Sequence, residues 1–169
     1  GFSRVLFLVS HPNELKIFGS WLRTEKSLRE SFRYDLRLYK ALKSKELLSE
    51  LSLLLKEFSC LRESRGSLVE DLSESDLAIF CATSAGIAAI KHGIPVVHVQ
   101  LDDFFGMNPC FDSFEEIETC QSAKELAASL GETVKMGREG LSAMIERQEV
   151  FAETIFGPVW HEHIKREFL

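Results

Sequence analysis

The chain has no apolar run approaching the roughly 18–20 residues that a membrane-spanning helix needs, which excludes a simple anchored or channel-forming reading of the sequence as given. The opening GFSRVLFLVSHPNE passes directly into polar sequence with no cleavage site, so a soluble chain is expected. Cysteine is scarce. The four residues Cys60, Cys81, Cys110 and Cys120 show no C-x-x-C spacing, which argues against a zinc site or disulfide framework and predicts reduced thiols in a cytoplasmic setting. An excess of basic charge is also missing: 20 Lys and Arg stand against 26 Asp and Glu, for a net charge of −6. That balance, with no long basic run, disfavours a dedicated binder of nucleic acid or of an anionic membrane. Finally, no G-x-S-x-G, G-x-x-x-x-G-K-[ST] or G-x-G-x-x-G occurs, which removes most support for serine hydrolase, P-loop and standard dinucleotide-binding chemistry.

What is present is an alternation of strand and helix signals. Val5 to Val9 is continuously apolar, as expected for a strand buried on both faces of a parallel sheet. Leu15, Phe18 and Leu22, joined by Ile17, Trp21 and Leu28, predict one helix reaching about Glu30. Tyr34 to Lys40 alternates like a strand. Ser44 caps a helix whose wide apolar face comprises Leu47, Leu48, Leu51, Leu54, Leu55 and Phe58. A short strand is expected at Cys60 to Arg62, and Ser67 to Glu70 fits a capping box. Leu77 to Ala82, the small-residue turn Thr83 to Gly86, a helix from Ile87 to His92, the stop Gly93 and the strand of PVVHVQL make a βαβ unit. A weak strand near Ile117 to Thr119, a capping box at Ser122 to Glu125 with a helix stopped by Gly131, and helices over Gly140 to Phe156 and Pro158 to Phe168 complete the pattern.

With right-handed crossovers, this pattern predicts an α/β fold: one Rossmann-like, doubly wound parallel sheet of about six strands, helices on both faces, across residues 1–169. Ligands of such sheets bind outside the carboxyl ends of the strands. Thr83, Ser84, Ala85 and Gly86 offer hydroxyls and backbone N–H groups at a helix start, suited to a phosphate or pyrophosphate; equally, Thr83 or Ser84 caps the helix and Gly86 permits close packing on the sheet. Ser10 and His11 follow the first central strand, beside the fourth in a 3-2-1-4 order, where His11 either hydrogen-bonds a phosphate or acts as a proton donor, or is a solvated residue before a helix-starting proline. Ser67 and Leu68, with Gly66, offer backbone groups for a base edge, although the capping box accounts for the same residues. His161 and His163, two apart, point to different helix faces and predict no metal site. The segment Asp102 to Asp112, with Phe104, Phe105, Met107 and Pro109, is a surface loop or a lid.

The stretch GSLVEDLSESDLAIFCATSAGIAAIKHGIPVVHVQL resembles the donor-binding half of GT-B glycosyltransferases. The tail, SAKELAASL followed by EVFAETIFGPVWHEHIKREFL, is similar to the closing helices of bacterial surface-polysaccharide and lipid-linked sugar transferases. The resemblance implies transfer of a sugar from a nucleotide sugar to a glycan or lipid acceptor. Thr83 to Gly86 would hold the diphosphate, Ser67 and Leu68 lie near the base, and Ser10 and His11 lie near the phosphates. No metal and no cofactor besides the donor substrate are implied. The family's ribose-holding glutamate is matched here by Ala88.

A GT-B enzyme has two such halves, and the start at GFSRV predicts a boundary inside a longer protein. The expected partners are therefore an N-terminal acceptor-binding domain or a separate partner subunit, with membrane contact only through the acceptor or partner and no transfer by this domain alone. Two alternatives stand: a non-catalytic Rossmann-like interaction domain, in which the aromatic loop or terminal helices bind a partner, and a nucleotide-sugar epimerase half-domain.

Overall fold

The computed structural model describes residues 3–39, 44–81, 85–100 and 117–156. Strand β1 (Ser3–Val9) sets the plan. Successive side chains of a strand point to opposite faces, and here both sets are buried. Val5, Phe7 and Val9 enter one apolar cluster, and Leu6 and Leu8 enter another.

The first cluster is closed by α1 (Pro12–Thr24), α2 (Lys26–Ser31), α3 (Lys45–Glu57) and α6 (Ala123–Lys135), through Leu15, Phe18, Leu22, Leu28, Leu47, Leu51, Leu54, Leu126 and Leu130. The second is closed by α4 (Leu68–Ser73), α5 (Ala85–Lys91) and α7 (Arg138–Phe156), through Leu68, Leu72, Ile87, Ile90 and Phe151. Between them lie β2 (Phe32–Leu38), β3 (Leu61–Glu63), β4 (Leu77–Phe80), β5 (Val96–Val99) and β6 (Thr119–Cys120). The sheet has the order β3-β2-β1-β4-β5-β6, and every pairing is parallel. This is the doubly wound α/β architecture expected from the sequence, with chain direction across the sheet reversing between β1 and β4.

Several local expectations shift. The helix predicted to reach Glu30 is two helices, because Glu25 is extended (φ −109°, ψ 103°) and its carboxylate accepts the Ser27 N–H to start α2. The turn brings Leu28 into the core, where its carbonyl accepts the buried Tyr34 hydroxyl at 2.9 Å. The third strand is one residue later than expected, and the sixth covers Thr119–Cys120 instead of ending at Thr119. Ser122 caps α6, but the Glu125 carboxylate accepts from Gln121 N–H, so the box is not reciprocal. Gly131 does not stop α6: burial of Leu130 and Thr133 continues the core-facing stripe, and the helix runs on to Lys135. By contrast Gly93 does end α5 with φ 75°, and the capping box of Ser67 and Glu70 is formed in both directions. The loop Asp102 to Asp112, Cys110, and the helix expected over Pro158 to Phe168 with His161 and His163 lie outside the described residues.

β6 is so short that it pairs only with His98 and Val99, leaving the outer edge of Val96 without a strand. Gln148 of α7 fills the gap: its Oε1 accepts the Val96 N–H at 2.9 Å and its Nε2 donates to the Val96 carbonyl at 3.0 Å. A buried side-chain amide thus replaces one residue of ladder, satisfying groups that are costly to leave unpaired.

The two glycines predict opposite outcomes. Gly131→Ala, in a helix interior with nothing within 4 Å of the new Cβ, should stabilise the chain by about 0.5–1 kcal/mol. Gly93→Ala should cost about 1–2 kcal/mol, because the left-handed backbone penalises a Cβ. Urea unfolding of the two variants checks both signs.

Candidate functional site

The carboxyl ends of β1 and β4 open the crevice where ligands of such sheets sit. Ser10 and His11 follow β1, and Cys81 follows β4, with Leu8 and Phe80 paired just below. Ala85 and Gly86 begin α5. The two expected loops are therefore neighbours. Thr83 and Ser84, the hydroxyls expected to face a phosphate, lie outside the described residues.

His11 is the N-cap of α1. Its Nδ1 accepts the Asn13 N–H at 3.2 Å, and Pro12 follows as the first helical residue. A neutral imidazole accepting at Nδ1 carries its proton at Nε2, so this ring is arranged as a donor. Ser10 is bound inward instead. Its N–H donates to Glu14 Oε2 at 2.7 Å, and its hydroxyl donates to Glu14 Oε1 at 2.6 Å. Glu14 is only 1% exposed, and burial pushes its carboxyl above the ordinary range against the pull of the Ser10 and His11 donors. It shares a void of about 10 Å³ with Phe7, Phe18, Trp21, Ile79, Cys81 and Val99, roughly enough for one water.

At the start of α5 the backbone lies directly on an aromatic ring. A Cβ at Gly86 would stand 2.7 Å from Phe80 Cγ and Cδ1, so glycine is required there for helix–sheet contact. Ala88, which the sequence resemblance matches to a ribose-holding glutamate of GT-B transferases, is buried in the second cluster. The Phe80 ring also meets the His98 ring, with centroids 5.2 Å apart. His98 is 4% exposed and bridges three strands: Nε2 donates to the Cys81 carbonyl at 2.9 Å, and Nδ1 accepts from Thr119 Oγ1 at 3.2 Å in the tautomer that satisfies both. Burial lowers its basicity. The segment leading from β4 towards Thr83 is thus fixed at Cys81 by His98 and at Gly86 by Phe80.

Ser67 and Leu68 border the same edge at α4. The Ser67 N–H donates to Glu70 Oε2 at 2.7 Å, and Ser67 Oγ accepts the Glu70 N–H at 3.2 Å. The Leu68 side chain is 5% exposed, packed in the cluster that also holds Ala85, so only its backbone is available for recognition at the edge. The Gly66 carbonyl accepts from Arg37 Nη1 at 2.9 Å. Neither Glu14 nor His98 stood out in the sequence. Glu14 has one local signal, its place three residues after the helix cap, where a glutamate reaches back to the preceding amides.

A larger cavity, about 310 Å³, lies towards the amino ends of β1, β2 and β3, lined by Arg4, Arg33, Asp35, Cys60 and Arg62 among others. Arg4 donates to Asp35 at 2.5 Å and pairs with Glu74 at 2.6 Å, and Arg62 also binds Asp35. It is at the opposite end of the sheet from the crevice. Among the described residues no group of His, Cys, Asp or Glu side chains is placed to hold a metal ion, and no helix is long and apolar enough to cross a membrane.

No protein-family model matches the chain, and no curated protein matches its sequence. Solved structures match its fold. The α,α-trehalose 6-phosphate synthase of Burkholderia multivorans aligns over 99% of this chain and 43% of its own, with a TM-score of 0.60 and 12% identity. An E. coli trehalose-6-phosphate structure bound with UDP-2-fluoro glucose covers 99% of this chain and 44% of its own, at 0.61 and 12%. The GtfA/B complex gives 0.53 and 12%, over 98% of this chain and 36% of its own. The chain therefore spans less than half the length of these structures. The synthases and GtfA/B are GT-B glycosyltransferases, and the six-stranded sheet matches one half-domain of that architecture.

Two measurements probe this edge. Gly86→Ala should cost about 1–3 kcal/mol by forcing Phe80 aside, with Phe80→Leu in the same chain recovering part of the loss; urea midpoints of the four proteins of the cycle decide it. For His98, the lowered basicity means that the unfolded chain takes up a proton first as pH falls through the imidazole's ordinary value of 6.5. Stability then drops below that pH, while above it both states are neutral and the group contributes nothing. His98→Gln should show a shallower fall in unfolding free energy between about pH 7.5 and 5.5 than the parent chain.

Proposed function

We propose that this chain is the donor-binding half of a GT-B glycosyltransferase, of the type that builds bacterial surface polysaccharides or lipid-linked glycans. It orients a nucleotide sugar for transfer to a glycan or lipid acceptor. The observation that carries this reading is the all-parallel sheet, reversing between β1 and β4, whose fold matches 98–99% of this chain to less than half of each transferase. A half-domain of that kind brings one wall of a cleft. The acceptor and the catalytic base belong, in this proposal, to an N-terminal half or a separate partner subunit.

The chemistry asked of this wall is to hold the charge that develops on the departing diphosphate. In the proposal, backbone N–H groups and hydroxyls of Thr83 to Gly86 take that charge, with His11 Nε2–H as a further donor and the backbone of Ser67 and Leu68 beside the base. The structural contribution is stiffness: His98 holds the Cys81 carbonyl and Phe80 supports Gly86, so the turn between them leaves and re-enters the fold at fixed points.

A second reading has its own support. Ala88 presents no carboxylate to a ribose, and Ser10 directs both of its donors to Glu14. Both fit a non-catalytic scaffold that keeps the fold and binds a partner chain.

Calorimetry at low salt separates the two. The chain is titrated with uridine, cytidine and guanosine diphosphates and their sugar conjugates, with a Thr83→Leu/Ser84→Leu double variant as control. Donor binding predicts saturable heat for one nucleotide and a loss of about tenfold or more in the variant, with an unchanged far-ultraviolet dichroism spectrum. A folded chain that binds none of the nucleotides overturns the donor reading in favour of the scaffold.

A further inference from the structure

At the crevice, the donors of the first loop are already occupied by a carboxyl group of the protein itself. Glu14 comes from α1, a 13-residue helix, and its carboxylate turns back to accept the Ser10 N–H at 2.7 Å and the Ser10 O–H at 2.6 Å. The His11 N–H reaches the same carboxylate. These are the donors a phosphate oxygen would seek at a β1–α1 turn, where the amides and the helix dipole favour negative charge. The carboxylate is also walled in. Phe18 and Trp21 of its own helix, Phe7 of β1, Ile79 of β4 and Val99 of β5 line the void beside it, with Cys81 the one further polar neighbour among the described residues. A ligand anion approaching Ser10 therefore meets donors that the Glu14 carboxyl oxygens already occupy, and the void of about 10 Å³ leaves that side chain no room to withdraw.

We propose that Glu14 is a resident anion that competes with a ligand's phosphate for the Ser10–His11 turn. The proposal rests on the reading of this edge as a phosphate site and sharpens it: the ligand's phosphate is excluded from the Ser10 and His11 amides. Glu14 thereby determines where in the crevice a phosphate can sit. Capping of α1 is the other role of the same contact, and it predicts loss of stability on mutation without any gain in anion affinity.

The test is Glu14→Gln. Its Oε1 accepts the Ser10 N–H only as a neutral, weaker acceptor that a phosphate oxygen can displace, and its Nε2 can donate to Ser10 Oγ, so the charge is removed and the Ser10 hydroxyl hydrogen is released. The parent chain and the variant are titrated with inorganic pyrophosphate and, separately, uridine diphosphate, following the backbone amide resonances of Ser10 and His11. With the parent, those amides should not move with pyrophosphate; with the variant they should, and its pyrophosphate affinity should exceed the parent's by about tenfold or more, as expected for removing a nearby like charge. Equal or weaker affinity in the variant overturns the proposal, as does movement of both amides in the parent. If Glu14→Gln fails to fold, Glu14→Leu, which removes the charge and keeps an apolar side chain beside Phe18 and Trp21, carries the same expectation for the Ser10 and His11 amides. The two readings fail separately. Pyrophosphate binding gained only by the variant, with no nucleotide bound by either protein, keeps the competitor role and removes the donor-binding one. A nucleotide bound by the parent through Ser10 does the reverse.

Discussion

Both faces of β1 must be covered at once, and the rest of the molecule is arranged to do it. A strand with Val5, Phe7 and Val9 on one side and Leu6 and Leu8 on the other cannot sit at a solvated surface. Two helical layers are needed, and parallel neighbours connected through helices supply them, because each crossover returns the chain to the same end of the sheet. The chain therefore starts in the middle and winds outward, first to β2 and β3, then back across to β4, β5 and β6. The crevice is the geometric result. Connections leave β1 and β4 in opposite directions, which opens a gap between their carboxyl ends.

The two layers are unequal. On the first face α1, α2, α3 and α6 cover the sheet, whereas beyond β1 the second face meets, among the described residues, only the short α4. β2 records the difference: Tyr34, Leu36 and Leu38 face the full layer, and Arg33, Asp35 and Arg37 face the thin one. Charges at that position need partners, and they have them. Asp35 is shared by Arg4 and Arg62, and Arg37 pairs with Asp71 at 2.6 Å while Asp71 also accepts from Ser64. Where the network reaches solvent, as at Glu74, individual pairs contribute little. Its buried members matter more through what their removal would strand, since Asp35 without its arginines would be an unpaired carboxylate at the sheet surface. The large cavity beside them thus follows from thin helical cover.

The order of strands, the α/β class and most helix starts were legible because local rules decide them. Ser44, Ser67 and Ser122 bond the amide three residues on, and Gly93 adopts the left-handed conformation that stops a helix. The misreadings fall where tertiary contact overrides local preference. Gly131 carries the same residue type as Gly93, yet Leu130 and Thr133 find the core on either side of it and the helix continues. Glu25 breaks a periodic run because Leu28 has to turn inward beneath Tyr34. At the candidate site, periodicity placed Ser10, His11, Ala85 and Gly86 on adjoining loops, which follows from topology alone. It could not reveal that Ser10 faces inward, because that depends on Glu14 being buried, nor that His98 is tied to Cys81, because that bond joins residues 17 apart on neighbouring strands.

These inward bonds divide the labour along the edge. Ser10 is bound to Glu14, Ser67 to Glu70, and the Cys81 carbonyl to His98, so three of the loops that border the crevice use polar groups to hold themselves in place. Groups spent on internal structure make a rigid rim with a reduced capacity to recognise a ligand. What the described rim shows at its two neighbouring loops is anchorage: His11 Nδ1 holds the Asn13 N–H, and Gly86 rests on the Phe80 ring. Under the proposed reading, a half-domain arranged this way holds one part of a ligand while a second wall, on another domain or chain, supplies the remaining contacts; its fold covers less than half of each of these structural neighbours.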